Sequence, residues 1–179
     1  MTSVMSTERI QQVVAESLGV KKRFFDEHAA SLVALADAIA VRVRRGGKVL
    51  VFGNGGSAAD AQHFAGELVG RFTKEGPPIP AIALTTDTSI ITAVGNDYGY
   101  EHIFKRQVEA HARPDDIAVG ISTSGNSKNV LEAMAVAKSR GLLTVAMTGE
   151  GGGRLGALVD HLFAAPSRDT PRIQEVHHL

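Results

Sequence analysis

The amino-acid sequence predicts an α/β fold: a single doubly wound domain of three layers, with a central parallel sheet of about five strands. Short, continuously apolar runs end in turns rich in Gly, Ser or Thr. Stretches with helical periodicity separate these runs. Apolar strands that alternate with helices are typical of a parallel sheet covered by helices on both faces.

We expect one domain over residues 1–179, with N-terminal helices over residues 1–46 and an α/β core over residues 47–179. Apolar residues recur at helical spacing from residue 7 to 45, and Gly19 is expected to separate two helices. Basic residues followed by two glycines predict the end of this segment near residue 45. Because it is apolar on more than one side, the segment suits an oligomer interface.

In the core, the predicted strands span residues 48–52, 81–84, 117–121, 143–147 and 161–165. Helices are predicted over residues 58–69 and 128–139, and a last one from about Pro171. A doubly wound sheet binds its ligand at the carboxyl ends of the strands. We therefore look for the site in the turns that follow them.

Composition excludes several classes of protein. The chain has 19 basic and 19 acidic residues, a formal net charge of zero, and no cysteine. We expect no nucleic-acid partner, since a basic surface would be needed, and no disulfide or thiolate metal site. Neither a signal peptide nor a membrane-spanning stretch is recognisable, so we expect a cytoplasmic protein without a membrane partner.

The first candidate turn is Gly-Asn-Gly-Gly-Ser-Ala at residues 53–58. Glycines allow the backbone to approach a ligand, and the following helix N-terminus suits an anion. The alternative is a tight turn with Ser57 as a helix cap. The turn also fits a dinucleotide-binding fingerprint, which requires an acidic residue at the end of the next strand, about 20 residues later. Here the next predicted strand ends much later, at residues 85–87, so this alternative is weak.

The second candidate turn is Ser-Thr-Ser-Gly-Asn-Ser at residues 122–127. It offers four hydroxyls, and hydroxyls with backbone N–H groups can surround a phosphate without Lys or Arg. The alternative is an elaborate helix cap. Together the two turns predict a sugar-phosphate ligand, with its phosphate at the second turn and its hydroxyls near Asn54 and Ser57.

Four segments carry a family resemblance. Residues 53–68 (GNGGSAADAQHFAGEL), 95–98 (GNDY), 121–127 (ISTSGNS) and 172–175 (RIQE) resemble bacterial sedoheptulose 7-phosphate isomerases, which belong to the sugar isomerase (SIS) domain family. The resemblance runs from about residue 20 to the end of the chain. The 121–127 loop is shared by many SIS proteins, whereas the other segments are more specific to this branch.

The resemblance implies conversion of D-sedoheptulose 7-phosphate to D-glycero-D-manno-heptose 7-phosphate for heptose and lipopolysaccharide-type glycans. It also implies a homotetramer with active sites between subunits, and a zinc ion in at least some members. Its substrate-binding residues map onto Asn54, Gly55, Gly56, Ser57, Glu67, Asn96, Asp97, Ser122, Thr123, Ser124, Ser127 and Gln174.

His63 and Glu67 are the candidate chemical pair. They lie four residues apart on a predicted helix and so share one face, close to Asp60. Spacing alone favours a solvated polar face, but the helix starts directly at a candidate ligand-binding turn. The resemblance implies that Glu67 is the general base and a metal ligand, with His63 and Gln174 as further metal ligands.

Other candidates are less distinctive. Asn96 and Asp97 match substrate-binding residues of the family, but Gly-Asn-Asp is also a strong turn signal. Asp87 and Arg71 are candidates to contact the substrate-binding residues rather than the substrate itself, and the alternative, ordinary surface residues, is slightly favoured.

The resemblance places the general-acid histidine eight residues after Gln174, beyond Leu179, so we expect a longer native chain with an incomplete last helix here. His177 and His178 are one helical turn too early for that role, although His177 could neighbour a metal ion.

Two other functions remain open at this point. The chain could be a non-catalytic SIS tetramer that binds proteins, similar to the replication initiator-associating protein, which lacks the carboxylate matching Glu67. It could also be a sugar-phosphate-sensing domain of a regulator. The chain has no basic segment for the DNA-binding part of such a regulator.

Overall fold

The computed structural model describes residues 6–71, 73 and 75–179, so the first five residues of the predicted N-terminal segment lie outside the described residues. Its centre is a five-stranded parallel sheet with the order β2-β1-β3-β4-β5. The strands are β1 (Val49–Gly53), β2 (Ala81–Ala83), β3 (Ile117–Ser122), β4 (Leu143–Thr148) and β5 (His161–Ala164). Each lies within one residue of its predicted bounds, and the predicted fold class is confirmed.

Helices flank the sheet. They are α1 (Thr7–Arg44), α2 (Gly56–Val69), α3 (Thr88–Tyr98), α4 (Ile103–His111), α5 (Lys128–Ser139), α6 (Gly153–Gly156) and α7 (Thr170–His177), with a short 3-10 turn at Tyr100–His102. The helices α3, α4 and α6 were not predicted from the sequence.

The predicted break at Gly19 is wrong, because α1 runs through it without interruption. One internal glycine costs a helix about 1 kcal/mol relative to alanine, which 38 helical residues tolerate. Ser6 caps the start of the helix by accepting a hydrogen bond from the Arg9 N–H. Beyond Gly19, the buried Val20 and Phe24 anchor the helix to the core.

The sheet has a separate apolar core on each face. In β1, Val49 and Val51 pack on the face covered by α1, α2 and α7, while Leu50 and Phe52 pack against α4 and α5. Successive strand residues point to opposite faces, so a strand buried on both sides reads as a continuous apolar run. This is the predicted three-layer arrangement. Among the described helices, none is both long and apolar enough to cross a membrane.

Candidate active site

The two candidate turns lie side by side because β1 and β3 are neighbours in the sheet. Gly53 pairs in register with Ile121, so Asn54, which follows β1, and Ser122, the last residue of β3, lie at the same edge of the sheet. The helices that follow them, α2 and α5, contribute to the cores on opposite faces. A crevice is expected where strand order reverses in this way, and it is the usual ligand site of such sheets.

The first turn opens α2 without a side-chain cap. Gly55 is the N-cap, with a φ of 56° that favours glycine, and no side chain makes a capping hydrogen bond. Ser57 is already inside the helix and is buried. The alternative in which Ser57 caps the helix is therefore wrong. The first N–H groups of α2 remain available to an oxygen of a ligand.

The second turn also leaves its helix uncapped. Ser127 occupies the N-cap of α5 but makes no capping hydrogen bond, and its Oγ lies 2.9 Å from Ser122 Oγ instead. By contrast, Ser6 and Asp87 use their side-chain oxygens to cap α1 and α3. The second turn is thus not an elaborate cap, and it combines hydroxyls with a helix N-terminus that the Ser127 side chain does not cap, as suits phosphate binding.

A glycine-rich loop supports the second turn. Gly125 has a φ of +65°, and a Cβ there would lie 2.1 Å from the carbonyl oxygen of Gly152. The Gly149 N–H donates to the Thr123 carbonyl, and the Leu155 N–H donates to the Gly125 carbonyl, each at 2.9 Å. The glycines at 149, 151, 152 and 153 therefore let two backbones approach closely, which the sequence alone did not reveal.

His63 and Glu67 face a cavity of about 280 Å³. Their Nε2 and Oε1 atoms are 3.7 Å apart on α2, and their side chains are 51% and 32% exposed. Ile121, the last apolar residue before the second turn, also lines the cavity. The predicted chemical pair therefore opens onto the same edge of the sheet as the predicted phosphate turn.

The pair has the donor types of a zinc site. Two ligand atoms of one tetrahedral zinc ion stand about 3.4 Å apart, close to the spacing of His63 Nε2 and Glu67 Oε1. Among the described residues, however, no group of three or more His, Asp or Glu side chains is gathered for a metal ion. The two residues fit two ligands of a zinc ion, and any further ligand would have to come from elsewhere.

His177, the last residue of α7, and His178, which follows it, line the same cavity. The ring of His178 stacks on that of His63 at 4.9 Å between centroids, and its Nδ1 lies 3.7 Å from Asp60 Oδ1. His177 is buried, and its Nε2 lies 3.0 Å from the Thr148 carbonyl oxygen. Burial lowers the pKa of His177, although Thr148 and Asp60 favour the protonated ring. The neutral ring donates from Nε2 to this carbonyl.

Gln174 lies at the first turn. A Cβ on Gly56 would be 2.3 Å from Gln174 Nε2, so the amide packs directly against the start of α2. Gln174 is absent from the residues that line the His63 cavity in the described structure. This place suits its predicted contact with substrate, and its predicted role as a metal ligand stays a prediction.

Asn96 and Asp97 lie in the last turn of α3, so the alternative of a loop turn at Gly-Asn-Asp is wrong. Both are exposed, and Asn96 Nδ2 donates to Asp97 Oδ1 at 2.8 Å. Asp87 accepts a hydrogen bond from the Ile90 N–H as the cap of α3, and Arg71 pairs with Glu75. For Asp87 and Arg71, these contacts favour the structural interpretation.

Comparison with known proteins identifies the family. The family model described as SIS domain matches residues 13–149. A phosphoheptose isomerase from Aquifex aeolicus is 54% identical over 170 residues, covering 95% of this chain and 89% of the relative. The chain belongs to the phosphoheptose isomerases of the SIS domain family. The predicted family and the predicted class of enzyme, an isomerase, are confirmed.

Solved phosphoheptose isomerases share the whole architecture. One from Neisseria gonorrhoeae is 45% identical with a TM-score of 0.89, covering 96% of this chain and 91% of its own. Another, from Francisella tularensis, is 39% identical with a TM-score of 0.92 and covers 97% and 93%. A sugar isomerase domain of a transcription factor from Sphaerobacter thermophilus, at 21% identity, shares the fold alone.

Two residues near the first turn in this family member were not predicted as functional. Asn129, the second residue of α5, exchanges hydrogen bonds with Asn54, and the Tyr100 hydroxyl reaches the same amide. Neither has a sequence signal, because Asn129 lies 75 positions from Asn54 and Tyr100 lies 46 positions away.

Proposed function

We propose that the chain isomerises D-sedoheptulose 7-phosphate to D-glycero-D-manno-heptose 7-phosphate. The carrying observation is the placement of the His63–Glu67 pair on a cavity that reaches the end of β3, next to the hydroxyl-rich turn. Membership of the phosphoheptose isomerase family supports this substrate over other sugar phosphates. No observation favours the scaffold alternative.

In this proposal the second turn holds the phosphate. Thr123 and Ser124 offer hydroxyls. At the start of α5, the Ser127 side chain accepts no hydrogen bond from the backbone N–H groups. The positive end of the helix dipole adds to the attraction for an anion. The sugar chain then extends across the crevice toward Asn54 and the start of α2, where Gln174 and Ser57 also lie.

Glu67 acts as the base. It removes a proton from C1 of the ketose, the enediol forms, and the Glu67 carboxyl, which can exchange its proton with solvent at this stage, delivers a proton to C2 to give the aldose. The hydroxyl proton on O1 leaves as the C2 carbonyl oxygen takes one up, so atoms and charge balance. A well-placed general base contributes about 10²–10⁴-fold to the rate.

Zinc is part of the proposal. His63 and Glu67 would supply two ligands and Gln174 a further one. When bound, the ion would polarise the carbonyl oxygen of the substrate. The spacing and donor types of the first two residues support it.

We also propose that the chain forms a homotetramer. On α1, Ile10, Val14 and Leu18 follow one another at intervals of four residues and are all more than half exposed. Such a row makes an apolar stripe along one side of a helix, which a second copy could cover. Light scattering coupled to gel filtration measures the mass directly.

The proposal further places the enzyme in the cytoplasm, where it would form heptose for lipopolysaccharide-type glycans.

The decisive experiment replaces Glu67 with glutamine. In D₂O, the wild-type protein should convert sedoheptulose 7-phosphate to the aldose and exchange deuterium into the C1 and C2 positions, both visible by NMR. Glu67→Gln should lose turnover by about 10²–10⁴-fold, together with the exchange.

Glu109→Gln is the matched control. Glu109 has a similar exposure, 30%, pairs with Arg106 and lies on α4 across the sheet. It should leave turnover unchanged. Full activity in Glu67→Gln would refute its role as the base, and a wild-type protein that binds the sugar phosphate without converting it would favour the scaffold.

A further inference from the structure

Three side chains from three segments of the site form one hydrogen-bonded group, which we call the amide clasp: Asn54, Tyr100 and Asn129. Asn54 Nδ2 donates to Asn129 Oδ1 at 2.9 Å, and Asn129 Nδ2 donates to Asn54 Oδ1 at 2.8 Å. The Tyr100 hydroxyl lies 3.1 Å from Asn54 Oδ1. Asn129 is only 3% exposed, and its hydrogen bonds with Asn54 are partly buried.

The orientation of both amides follows from one backbone contact. The Val130 N–H, which can only donate, lies 3.0 Å from Asn129 Oδ1 and so identifies that atom as an acceptor. The Asn129 NH₂ group must then face Asn54 Oδ1. The Tyr100 hydroxyl therefore donates to Asn54 Oδ1.

This arrangement leaves the Asn54 side chain with one hydrogen-bonding group that is not used within the clasp. Its Oδ1 accepts two hydrogen bonds, which is the full capacity of an amide oxygen, and one of its two Nδ2 hydrogens goes to Asn129. A single Nδ2 hydrogen remains. Asn54 can thus meet a ligand with its side chain only as a donor, in a direction fixed by its partners.

We propose that Asn129 and Tyr100 are positioning residues, which hold the Asn54 amide so that its remaining N–H donates to an oxygen of the sugar chain. This proposal deepens and rests on the proposed function. The partners belong to different segments: Asn129 follows the phosphate turn, and Tyr100 comes three residues after Asp97. The clasp therefore fixes the first turn relative to both the phosphate turn and the end of α3.

Asn129 has a specific energetic role here. A neutral hydrogen bond contributes modestly, but a buried polar group that loses its partner is costly, so both amides resist separation. Without the clasp, the Asn54 side chain would rotate freely and offer either end to the ligand. Binding of the phosphate alone should not depend on this, since the second turn would hold it.

The test compares two probes, inorganic phosphate and sedoheptulose 7-phosphate, by isothermal titration calorimetry on the whole protein. Asn129→Ala should weaken binding of the sugar phosphate by about 10–100-fold, while binding of inorganic phosphate stays within about twofold. A purely structural role for Asn129 in α5 would weaken both probes alike, and that result would overturn the proposal.

A gentler variant decides the matter if Asn129→Ala does not fold. Tyr100 is 59% exposed, so Tyr100→Phe should fold and should weaken sugar-phosphate binding by about 2–10-fold. Tyr98→Phe is the matched control. Tyr98 is 57% exposed, and its hydroxyl makes no hydrogen bond within the described part of the chain. Loss of the Tyr98 hydroxyl should leave the affinity for both inorganic phosphate and sedoheptulose 7-phosphate unchanged.

Equal affinity of Tyr100→Phe and Tyr98→Phe for sugar phosphate would overturn the part assigned to Tyr100. In the double variant Asn129→Ala/Tyr100→Phe, the two effects should fall short of their sum, because both act through Asn54. A wild-type protein that binds the sugar phosphate tightly but does not isomerise it would count against the proposed function and leave the clasp to be judged by these affinities.

Discussion

Replacing Gly56 with alanine tests whether the position of the Gln174 amide matters for turnover. The new Cβ would lie 2.3 Å from Gln174 Nε2, 3.1 Å from its Cδ and 3.4 Å from its Oε1. Ordinary contact begins near 3.4 Å, so the amide must retreat by about 1 Å. It is the far end of a flexible side chain and can do so without moving the backbone.

The expected result separates activity from stability. A displacement of about 1 Å in an active site can cost about 10²-fold in rate, so kcat/KM for sedoheptulose 7-phosphate should fall by about 10–100-fold. Alanine in place of a helical glycine gains about 0.5–1 kcal/mol, so the free energy of unfolding in urea should stay level or rise. NMR of the product mixture measures the first quantity, and circular dichroism measures the second.

Gly66→Ala is the matched control for this experiment. Gly66 belongs to the same helix and a Cβ there meets no atom within 4 Å, so the variant should gain the same stability and keep full activity. In a Gln174→Ala background, Gly56→Ala should cause no further loss. Full activity of Gly56→Ala, or an additional loss in that background, would refute the reasoning.

Three further predictions concern stability and metal binding. Gly125→Ala places an alanine at a φ of +65°, and its Cβ would lie 2.1 Å from the Gly152 carbonyl oxygen. The free energy of unfolding in urea should therefore fall by about 2–5 kcal/mol. A loss below about 1 kcal/mol would contradict the close approach. Because burial lowers the pKa of His177, the unfolded chain takes up its proton at higher pH than the folded one. The free energy of unfolding should therefore fall as the pH drops below the ordinary value of 6.5. His177→Gln keeps a donor for the Thr148 carbonyl and should flatten that fall, and parallel slopes for the two proteins would contradict this cause. Zinc should raise the Tm of the wild-type protein, and His63→Ala should abolish the rise, whereas an equal rise in both would exclude His63 as a ligand.

The strands and the two turns could be predicted because their signals are local. Residues 48–52 form a short, mainly apolar run that is followed by glycines. Runs of this kind predict strands that are buried on both faces, and hence the two cores and the edge of the sheet where the turns lie. The spacing of His63 and Glu67 likewise placed them on one face of α2, and the structure brings them to 3.7 Å. Their chemical roles stay predictions.

What could not be predicted depends on contacts distant in sequence or on competing signals. Gly-Asn-Asp at residues 95–97 reads locally as a turn, yet it ends a helix that Asp87 caps at its start. Gly19 reads as a break, yet the residues around it keep the helix intact. The pairing of Asn54 with Asn129 and the approach of Gly152 to Gly125 become visible only when the chain is folded.

The length of α1 has a consequence for how its first turns are kept ordered. A helix of 38 residues is about 57 Å long, whereas a compact domain of this size is about 40 Å across. Its buried residues begin at Val20, so none of the preceding 13 residues from Thr7 is buried, although the Arg172 guanidinium donates to the Val13 carbonyl. An isolated helix of that length is marginal in water. Helical content and amide-exchange protection in this segment should therefore rise with protein concentration, which makes the overhanging end of α1 a reporter of assembly.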